Sequence, residues 1–229
     1  MRPLLIVPAY NEEESISNVV DSIMKAGYDY VVVNDGSTDN TARICRREKY
    51  NLLNLSRNLG IGGAVQAGHL YALEHDYDVD IQFDGDGQHD VDCVSTLLEC
   101  IEAGNDLVIG SRFVSPSEGF KSTAVRRAGI KWLQSMISLR AGVVVTDATS
   151  GFRACSRRAI ELFADNYPQD YPEPESIALA ANYGLKIAEV PVTMHERQGG
   201  TSSIGPLSAV YYMIKVTLAV LMAGGRSAK

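Results

Sequence analysis

The 229-residue chain is predicted to form a single α/β domain with a mostly parallel sheet. Its first half alternates short apolar runs with longer stretches of helical periodicity. Uninterrupted apolar runs are typical of strands covered on both faces, and strands that alternate with helices pair in parallel. After residue 110, loop-rich sequence follows one long helical stretch. We therefore expect one domain over residues 1–205, divided into halves at 1–110 and 111–205, and a C-terminal segment at 206–229.

Strands are predicted at 4–7, 30–33, 52–55, 80–83 and 107–110, of which the first, second and fifth are near-continuous apolar runs. In the first helical stretch, Ile16, Val19 and Ile23 recur at three- and four-residue steps; Asn11 is a suitable N-cap and Gly27 a suitable end. The same pattern predicts helices at 12–26, 39–49, 62–75, 92–102 and 122–139. The second half is predicted to contain a short strand at 143–145 and a Pro- and Tyr-rich turn at 167–174.

Composition and charge narrow the function classes. Hydrophobic residues make up 45% of the chain and charged residues 21%, which is ordinary for a globular protein. The net charge of −7 argues against a nucleic-acid-binding protein, which usually carries a basic face. The four cysteines form no CxxC pair and have no histidine at zinc spacing, so we expect reduced thiols in a cytosolic protein. The apolar run at 4–7 is too short for a signal peptide.

Polar motifs follow three of the predicted strands. Pro-Ala-Tyr-Asn-Glu (8–12) follows the first strand, Asn-Asp-Gly-Ser (34–37) the second and Asp-Gly-Asp (84–86) the fourth. In open α/β sheets, ligands bind beyond the carboxyl ends of the strands. Because those ends meet at one edge of the sheet, we expect the three motifs to form one binding site.

Asp84 and Asp86 are the candidate metal ligands. Two carboxylates two residues apart can approach one hard cation, and Mg²⁺ or Mn²⁺ prefers such oxygen ligands. A metal held there would neutralise charge on a departing diphosphate. An EF-hand loop fits poorly, because its sixth and twelfth positions would hold His89 and Ser95. The alternative is a solvated acidic turn.

Two further motifs are interpreted as nucleotide contacts. Asp35 is a candidate acceptor for the imide N–H or amine of a pyrimidine base, although Ser37, Thr38 or Asp39 could equally serve as a helix N-cap. The glycines of Asn-Leu-Gly-Ile-Gly-Gly-Ala (58–64) allow the backbone to approach a nucleotide or ribose. A dinucleotide fingerprint is excluded because Val65 stands where its last glycine would be, which argues against a dehydrogenase.

Together these motifs resemble the inverting family 2 glycosyltransferases of GT-A fold, over about residues 3–205. The ordered series is Pro-Ala-Tyr-Asn-Glu, Asp-Gly-Ser-x-Asp-x-Thr, Asn-x-Gly-x-Gly-Gly-Ala and Asp-Gly-Asp-Gly-Gln-His. The segments 110–112, 146–153, 189–192 and 196–203 are similar to the branch that contains dolichol-phosphate mannose synthase and bacterial polyprenyl-phosphate sugar transferases. The resemblance implies a Rossmann-like α/β single domain with a mixed, mostly parallel sheet flanked by helices.

The resemblance also implies roles for individual residues. The nucleotide-sugar contacts it implies are Pro8, Ala9, Tyr10, Glu12, Asp35, Ser37, Gly62, Asp84, Gly85, Arg197 and Ser202. The implied metal ligands are Asp84, Asp86 and, as a third, Gln88. The implied catalytic and acceptor-side residues are Asp86, Arg112, Arg126, Arg127, Asp147 and Arg153. Glu173 and Glu175 are additional acceptor-side candidates, in what is otherwise a rigid Pro-rich loop.

The implied reaction is inverting transfer of a sugar, with UDP as the expected carrier, to a polyprenyl phosphate for cell-envelope glycan synthesis. A phosphate acceptor is already anionic near neutral pH and needs no strong base. The alternative is a saccharide acceptor, as in a rhamnosyltransferase, for which Asp147 is the first candidate base. A non-catalytic nucleotide-sugar-binding module is a further alternative. A nucleotidyltransferase fits poorly, because the loop after the first strand lacks Lys and is not Gly-rich.

Two departures from the branch bear on the acceptor side. Ile130 stands where relatives often place a Ser one helical turn after the phosphate-binding Arg. The apolar stretch 207–223 falls just short of a membrane span, so it is interpreted either as a buried helix or as a helix at the membrane interface. We expect a peripheral protein at the inner face of the cell membrane, with a small membrane protein and a homo-oligomer as candidate partners and no nucleic acid.

Overall fold

The structure is a computed structural model that describes residues 1–114 and 124–195, together with 215, 217 and 218. Its strands are β1 (Pro3–Ala9), β2 (Asp29–Asn34), β3 (Leu52–Asn54), β4 (Val79–Gln82), β5 (Leu107–Ser111), β6 (Arg153–Ser156) and β7 (Ile187–Pro191). Its α-helices are α1 (Ile16–Ala26), α2 (Thr41–Arg47), α3 (Gly60–Glu74), α4 (Val94–Glu102), α5 (Ala124–Ala141), α6 (Arg157–Asn166) and α7 (Pro172–Asn182). A 3₁₀ turn at Val91–Cys93 leads into α4.

The strands form one sheet in the order β3-β2-β1-β4-β6-β5-β7. Only β6 runs antiparallel to its neighbours β4 and β5 among the described strands. Buried apolar clusters cover both faces, one with Leu4, Ile6 and Ile109 and the other with Leu5, Val7 and Val108. The predicted α/β class with a mixed, mostly parallel sheet is therefore confirmed. Fully buried strands explain why these runs are apolar without alternation.

All five predicted strands are present, but α1 begins at Ile16 rather than at residue 12. Asn11 does not cap it, because its side-chain oxygen accepts the backbone N–H of Thr38 at 2.8 Å. Gly27 ends the helix as predicted, in the left-handed conformation at φ +81°. The helices predicted at 39–49, 62–75, 92–102 and 122–139 are present with shifted ends.

The second half departs further from the prediction. The strand predicted at 143–145 is wrong, because these residues form a loop after α5 in which Val145 packs into the core. The turn predicted at 167–174 ends early, since Pro172 opens α7 at a position where its missing N–H costs nothing. The interpretation of 207–223 falls almost wholly outside the described residues. Within the described part of the chain, no helix combines the length and apolar character that a bilayer span requires.

Candidate active site

A cleft of about 380 Å³ opens at the carboxyl ends of β1, β2 and β4. Residues from all three predicted motifs and from the start of α3 line it, and so does Glu173 at the start of α7. The lining residues are Pro8, Ala9, Tyr10, Glu12, Asp35, Asn58, Gly60, Ile61, Ala64, Gln82, Asp84, Gly85, Asp86 and Glu173. The three motifs therefore lie together beyond the carboxyl ends of the strands, where ligands bind in open α/β sheets.

The loop after β1 is fastened to the loop after β2. The backbone N–H of Glu12 donates to the hydroxyl of Thr41 at 2.8 Å, and that of Asn11 donates to the hydroxyl of Ser37 at 3.0 Å. Ser37 therefore supports this loop, and it is not among the cleft-lining residues of the described chain. Tyr10 is 48% exposed at the rim of the cleft, where its ring is open to a ligand.

Asp35 is buried between the ends of β2 and α3. Its carboxylate accepts the backbone N–H of Leu59 at 2.7 Å and that of Gly60 at 2.9 Å. Gly36 makes this approach possible, because it adopts φ +67° and a Cβ there would lie 2.6 Å from the backbone nitrogen of Asn58. Asp35 thus holds the start of α3 against the cleft. It also lines the cleft, so the predicted contact with a base stays compatible with this structural role.

A buried hydroxyl that the sequence motifs do not include supports the Asp84-Gly85-Asp86 loop. Ser15, which is fully buried, donates to the carbonyl of Gly85 at 2.7 Å. The Asp86 carboxylate accepts the backbone N–H of Gln88 at 3.0 Å, which fixes the chain after the loop. Asp84 is 32% exposed, so its oxygens reach the cleft.

His89 and Gln82 fix the orientation of Asp84. The backbone N–H of Asp84 donates to Nδ1 of His89 at 3.0 Å, and Nε2 of the same ring lies 3.6 Å from a carboxylate oxygen of Asp84. The imidazole stacks on Phe152 at 4.5 Å. Burial lowers the pKa of His89 and outweighs the opposing effect of the nearby Asp84 and Asp86 carboxylates, so the neutral ring is favoured. The Gln82 amide donates to Asp84 at 3.0 Å.

The donor set suits a hard divalent cation. Asp84 and Asp86 present carboxylate oxygens to one cleft on a loop that buried side chains hold in place. Gly151 leaves room for these oxygens, since a Cβ there would lie 3.0 Å from Oδ2 of Asp84. Gln88 is not among the cleft-lining residues of the described chain, and its side-chain nitrogen is 3.5 Å from the carbonyl of His195. Its role as a third ligand stays a prediction.

A buried ion pair joins Arg112 and Asp147, two residues that the resemblance implies for the acceptor side. Arg112, directly after β5, donates from Nε to Asp147 at 2.7 Å and from a terminal nitrogen at 2.8 Å. The backbone N–H of Arg112 adds a third bond to the same carboxylate at 3.1 Å. The Asp147 side chain is 1% exposed, and that of Arg112 17%. This two-pronged geometry fixes the plane of the guanidinium.

Arg153 and Glu173 take positions that the sequence left open. The guanidinium of Arg153 is buried and donates to the carbonyls of Ala148, Ser150 and Glu173 at 2.6 to 3.0 Å. It therefore organises the backbone around the acceptor side. Glu173 lines the same cleft as Asp84, rather than a separate acceptor surface. Burial raises the pKa of Glu173, in spite of the opposing charge of Arg153.

The remaining predicted residues contribute no described contact in the cleft. Gly62 packs against the chain at 168–169, where a Cβ would lie 2.4 Å from the carbonyl oxygen of Pro168. Its nucleotide contact, like that of Ser37, stays a prediction. Arg126 and Arg127 lie on α5, but their side chains are outside the described part of the structure, as are Arg197 and Ser202 altogether.

Residues 4–163 of the chain match the family model of glycosyl transferase family 2. The undecaprenyl-phosphate mannosyltransferase of Micrococcus luteus is 34% identical, over 89% of this chain and 88% of that protein. The UDP-N-acetylglucosamine–dolichyl-phosphate N-acetylglucosaminyltransferase of Methanococcus voltae is 32% identical, over 82% and 83%. The polyprenol monophosphomannose synthase of Mycolicibacterium smegmatis is 31% identical, over 94% and 85%. The predicted resemblance to this branch is confirmed.

Solved structures support the same fold. Glucosyl-3-phosphoglycerate synthase from Mycobacterium tuberculosis, crystallised with Mn²⁺, UDP-glucose and phosphoglyceric acid, matches 97% of this chain and 79% of that one with a TM-score of 0.70 at 21% identity. Its complex with Mn²⁺, UDP and glucosyl-3-phosphoglycerate gives a TM-score of 0.71 over 99% and 81% at 22% identity. At this level of identity the likeness concerns the fold alone, and it agrees with the predicted GT-A class.

Proposed function

The chain belongs to glycosyl transferase family 2, and we propose that it transfers a sugar from a nucleotide-sugar to a polyprenyl phosphate. The observation that carries this proposal is the joining of two features at one sheet edge. One is a cleft with two carboxylates, and the other is a buried Arg112–Asp147 pair beside it in the fold. The relatives named above are lipid-phosphate sugar transferases by name.

The nucleoside is proposed to bind at the end of the cleft formed by the loop after β1 and the start of α3. Tyr10 offers an exposed aromatic face there, and Asp35 offers a carboxylate that can accept from a base N–H. The diphosphate then lies over Asp84, Gly85 and Asp86. We infer UDP as the carrier.

Asp84 and Asp86 would hold Mg²⁺ or Mn²⁺. When bound, this metal supplies positive charge that offsets the charge developing on the leaving diphosphate. The chain's own contribution is to aim the two carboxylates. Ser15 fixes the loop, and His89 and Gln82 orient Asp84, so the ligands are preorganised before substrate enters.

On the acceptor side, Arg112 is proposed to receive the phosphate of the lipid. A phosphate oxygen that is already anionic attacks the anomeric carbon directly, so the expected outcome is inversion. Asp147 is proposed to orient Arg112 rather than to act as a base, because both of its oxygens accept hydrogen bonds from the Arg112 guanidinium. The geometry therefore favours the phosphate acceptor over the saccharide alternative.

Membrane contact is proposed to involve α5. Trp132 and Leu139, two helical turns apart on α5, are 52% and 76% exposed, and Val144 in the following loop is 81% exposed. The sequence of α5 also carries four cations, Arg126, Arg127, Lys131 and Arg140, and no acidic residue. A basic helix with exposed apolar residues suits an anionic lipid surface. Sedimentation with anionic vesicles should weaken for Trp132→Ser with Leu139→Ser. Undiminished sedimentation would contradict this contact.

The proposed function is tested by mixing the purified protein, Mn²⁺ and a short polyprenyl phosphate with UDP-glucose, UDP-N-acetylglucosamine or GDP-mannose. We expect one glycosyl-phosphoryl lipid, detected by mass spectrometry, and an inverted anomeric centre by NMR. We also propose an inner-face location, a small membrane-protein partner and a homo-oligomer. Hydrolysis without transfer, or transfer only to saccharides, would overturn the lipid acceptor.

A further inference from the structure

A second carboxylate stands behind the Arg112–Asp147 pair. Glu189 on β7 accepts the backbone N–H of Thr146 at 2.7 Å with one oxygen and that of Asp147 at 2.8 Å with the other. The hydroxyl of Thr146 donates to the second oxygen at 3.2 Å. Three donors from two consecutive residues therefore converge on one side chain. They fix the backbone immediately before the Asp147 carboxylate.

The sheet places Glu189 where it can do this. In the parallel pairing of β5 with β7, Glu189 lies opposite Ile109, and Arg112 follows the last residue of β5. The hydroxyls of Ser111 and Thr146 are 2.9 Å apart. The loop at 143–150 is thus tied to both strands, although it forms no strand itself. A regular ladder would satisfy these N–H groups with backbone carbonyls, whereas here a side chain replaces the ladder.

We propose that Glu189 is a positioning residue for the acceptor phosphate, acting through Asp147 on Arg112. This inference rests on the proposed function. Glu189 holds the two N–H groups, the fixed backbone aims the Asp147 carboxylate, and the carboxylate sets the plane of the Arg112 guanidinium. The chain of contacts runs from β7 to the cation that receives the lipid phosphate.

The chemistry of the contact calls for a carboxylate. Both oxygens of Glu189 accept from backbone N–H groups. Glutamine offers one oxygen and one NH₂ group, so Glu189→Gln would face one of these N–H donors with another donor. Glu189→Asp keeps both oxygens but is one methylene shorter. The expected order of acceptor-side activity is therefore wild type, then Glu189→Asp, then Glu189→Gln.

The test measures kcat and KM for a short polyprenyl phosphate and for the nucleotide-sugar, with full-length protein and Mn²⁺. We expect Glu189→Gln to lower kcat/KM for the lipid phosphate by about 10- to 100-fold, the effect of one unpaired buried donor. The KM for the donor should stay within about twofold, because the cleft contacts are unchanged. Thr146→Val, which keeps its backbone N–H, should cost only about two- to threefold. Glu161→Gln on the exposed face of α6 is the matched control.

A combined variant separates positioning from general destabilisation. If Glu189 acts through Arg112, adding Glu189→Gln to Arg112→Gln should lower kcat/KM no more than about twofold further. Fully additive losses would overturn the inference, as would equal losses for donor and acceptor that follow the melting temperature. If the wild-type protein transfers sugar to the lipid phosphate and Glu189→Gln has the same kcat/KM, the inference is overturned and the proposed function stands. A wild-type protein that transfers nothing to the lipid phosphate overturns the proposed function, and this inference with it.

Discussion

The carboxylates on the proposed donor side and on the proposed acceptor side face opposite environments. On the donor side, Asp84 is 32% exposed and opens into the cleft, where its polar neighbours are Gln82 and His89. On the acceptor side, Asp147 is 1% exposed and binds the guanidinium of Arg112 through both oxygens. The first arrangement leaves negative charge available for a cation. In the second arrangement, the negative charge of Asp147 orients the guanidinium of Arg112, a cation of the same chain.

The difference separates two ways of building a charged site. The Asp84 and Asp86 carboxylates line the cleft, and Ser15 gives their loop a rigid support. A buried ion pair must satisfy every partner within the protein, because removing one leaves an uncompensated charge. We therefore expect donor-side substitutions to abolish ligand binding with modest effects on stability. Acceptor-side substitutions should affect catalysis and stability together.

The largest expected effect is on the donor side. Asp84→Asn or Asp86→Asn should lower kcat by about 1,000-fold, since a metal contributes several kcal/mol to stabilising the leaving group. Titration calorimetry should find that Mn²⁺ binding in the presence of UDP is lost. Asp92→Asn, on the neighbouring 3₁₀ turn and exposed, is the matched control and should behave as wild type. A loss of less than tenfold would contradict the metal-ligand assignment.

The next largest effect is expected for Asp147→Asn, and a second variant is needed to interpret it. It should destabilise the fold by about 3 kcal/mol and lower acceptor kcat/KM by about 100-fold, because it leaves the Arg112 charge without its partner. A large loss therefore does not by itself identify a base. If pairing is the role of Asp147, Arg112→Gln with Asp147→Asn should be no worse than Arg112→Gln alone. Loss of the acidic limb of the pH–rate profile, along which a catalytic base loses its proton, would favour base catalysis instead.

The donor side was far more predictable from the sequence than the acceptor side. Strand-end motifs follow apolar runs, and parallel strands bring their ends together, so local pattern sufficed to place Asp35, Asp84 and Asp86 in one cleft. The support of the loop at 84–86 by Ser15 has no local signal, because the Ser15–Gly85 bond joins residues that lie 70 positions apart in the sequence.

The strands beside the Arg112–Asp147 pair escaped prediction for a physical reason. The antiparallel strand β6 carries the charged Arg153 and β7 carries the charged Glu189, so neither gives an apolar run. The apolar residues at 143–145 resemble a strand, but Glu189 takes the N–H groups just after them, in place of a strand partner. Side-chain-to-backbone bonds of this kind follow from tertiary structure. Sequence periodicity does not report them.

Gly151→Ala tests whether a side chain added just before β6 disturbs the Asp84 carboxylate in the cleft. A Cβ at this position would lie 2.8 Å from the Gln82 amide nitrogen and 3.0 Å from Oδ2 of Asp84, so one of them must move. We expect about tenfold weaker Mn²⁺ affinity, by about 1.4 kcal/mol, with the Arg112–Asp147 pair intact. Calorimetric titration with Mn²⁺ and UDP measures this. Unchanged affinity would mean that Gln82 moves without disturbing Asp84.

Ser15→Ala tests the rigid support of the donor loop. The buried Gly85 carbonyl loses its hydroxyl donor, at a cost of about 1–2 kcal/mol. In a protein of this size the melting temperature should fall by about 3–6 °C. Ser22→Ala, which removes a hydroxyl bond to Val19 within α1, is the matched control and should change it by about 1 °C or less. Equal shifts for the two variants would contradict a specific role for the bond to Gly85.

The smallest expected effect concerns Glu173, which lines the cleft and whose backbone carbonyl accepts a hydrogen bond from Arg153. Burial raises the pKa of Glu173, so the fold favours the protonated form, and this stabilisation is present below the unfolded pKa and lost as the pH rises through the folded one. Without metal, Glu173→Gln should therefore raise the melting temperature by about 1–2 °C at pH 7 and by less at pH 4. Glu14→Gln, at an exposed position, should not reproduce this trend. A larger gain at pH 4 than at pH 7 would reverse the sign and contradict the raised pKa.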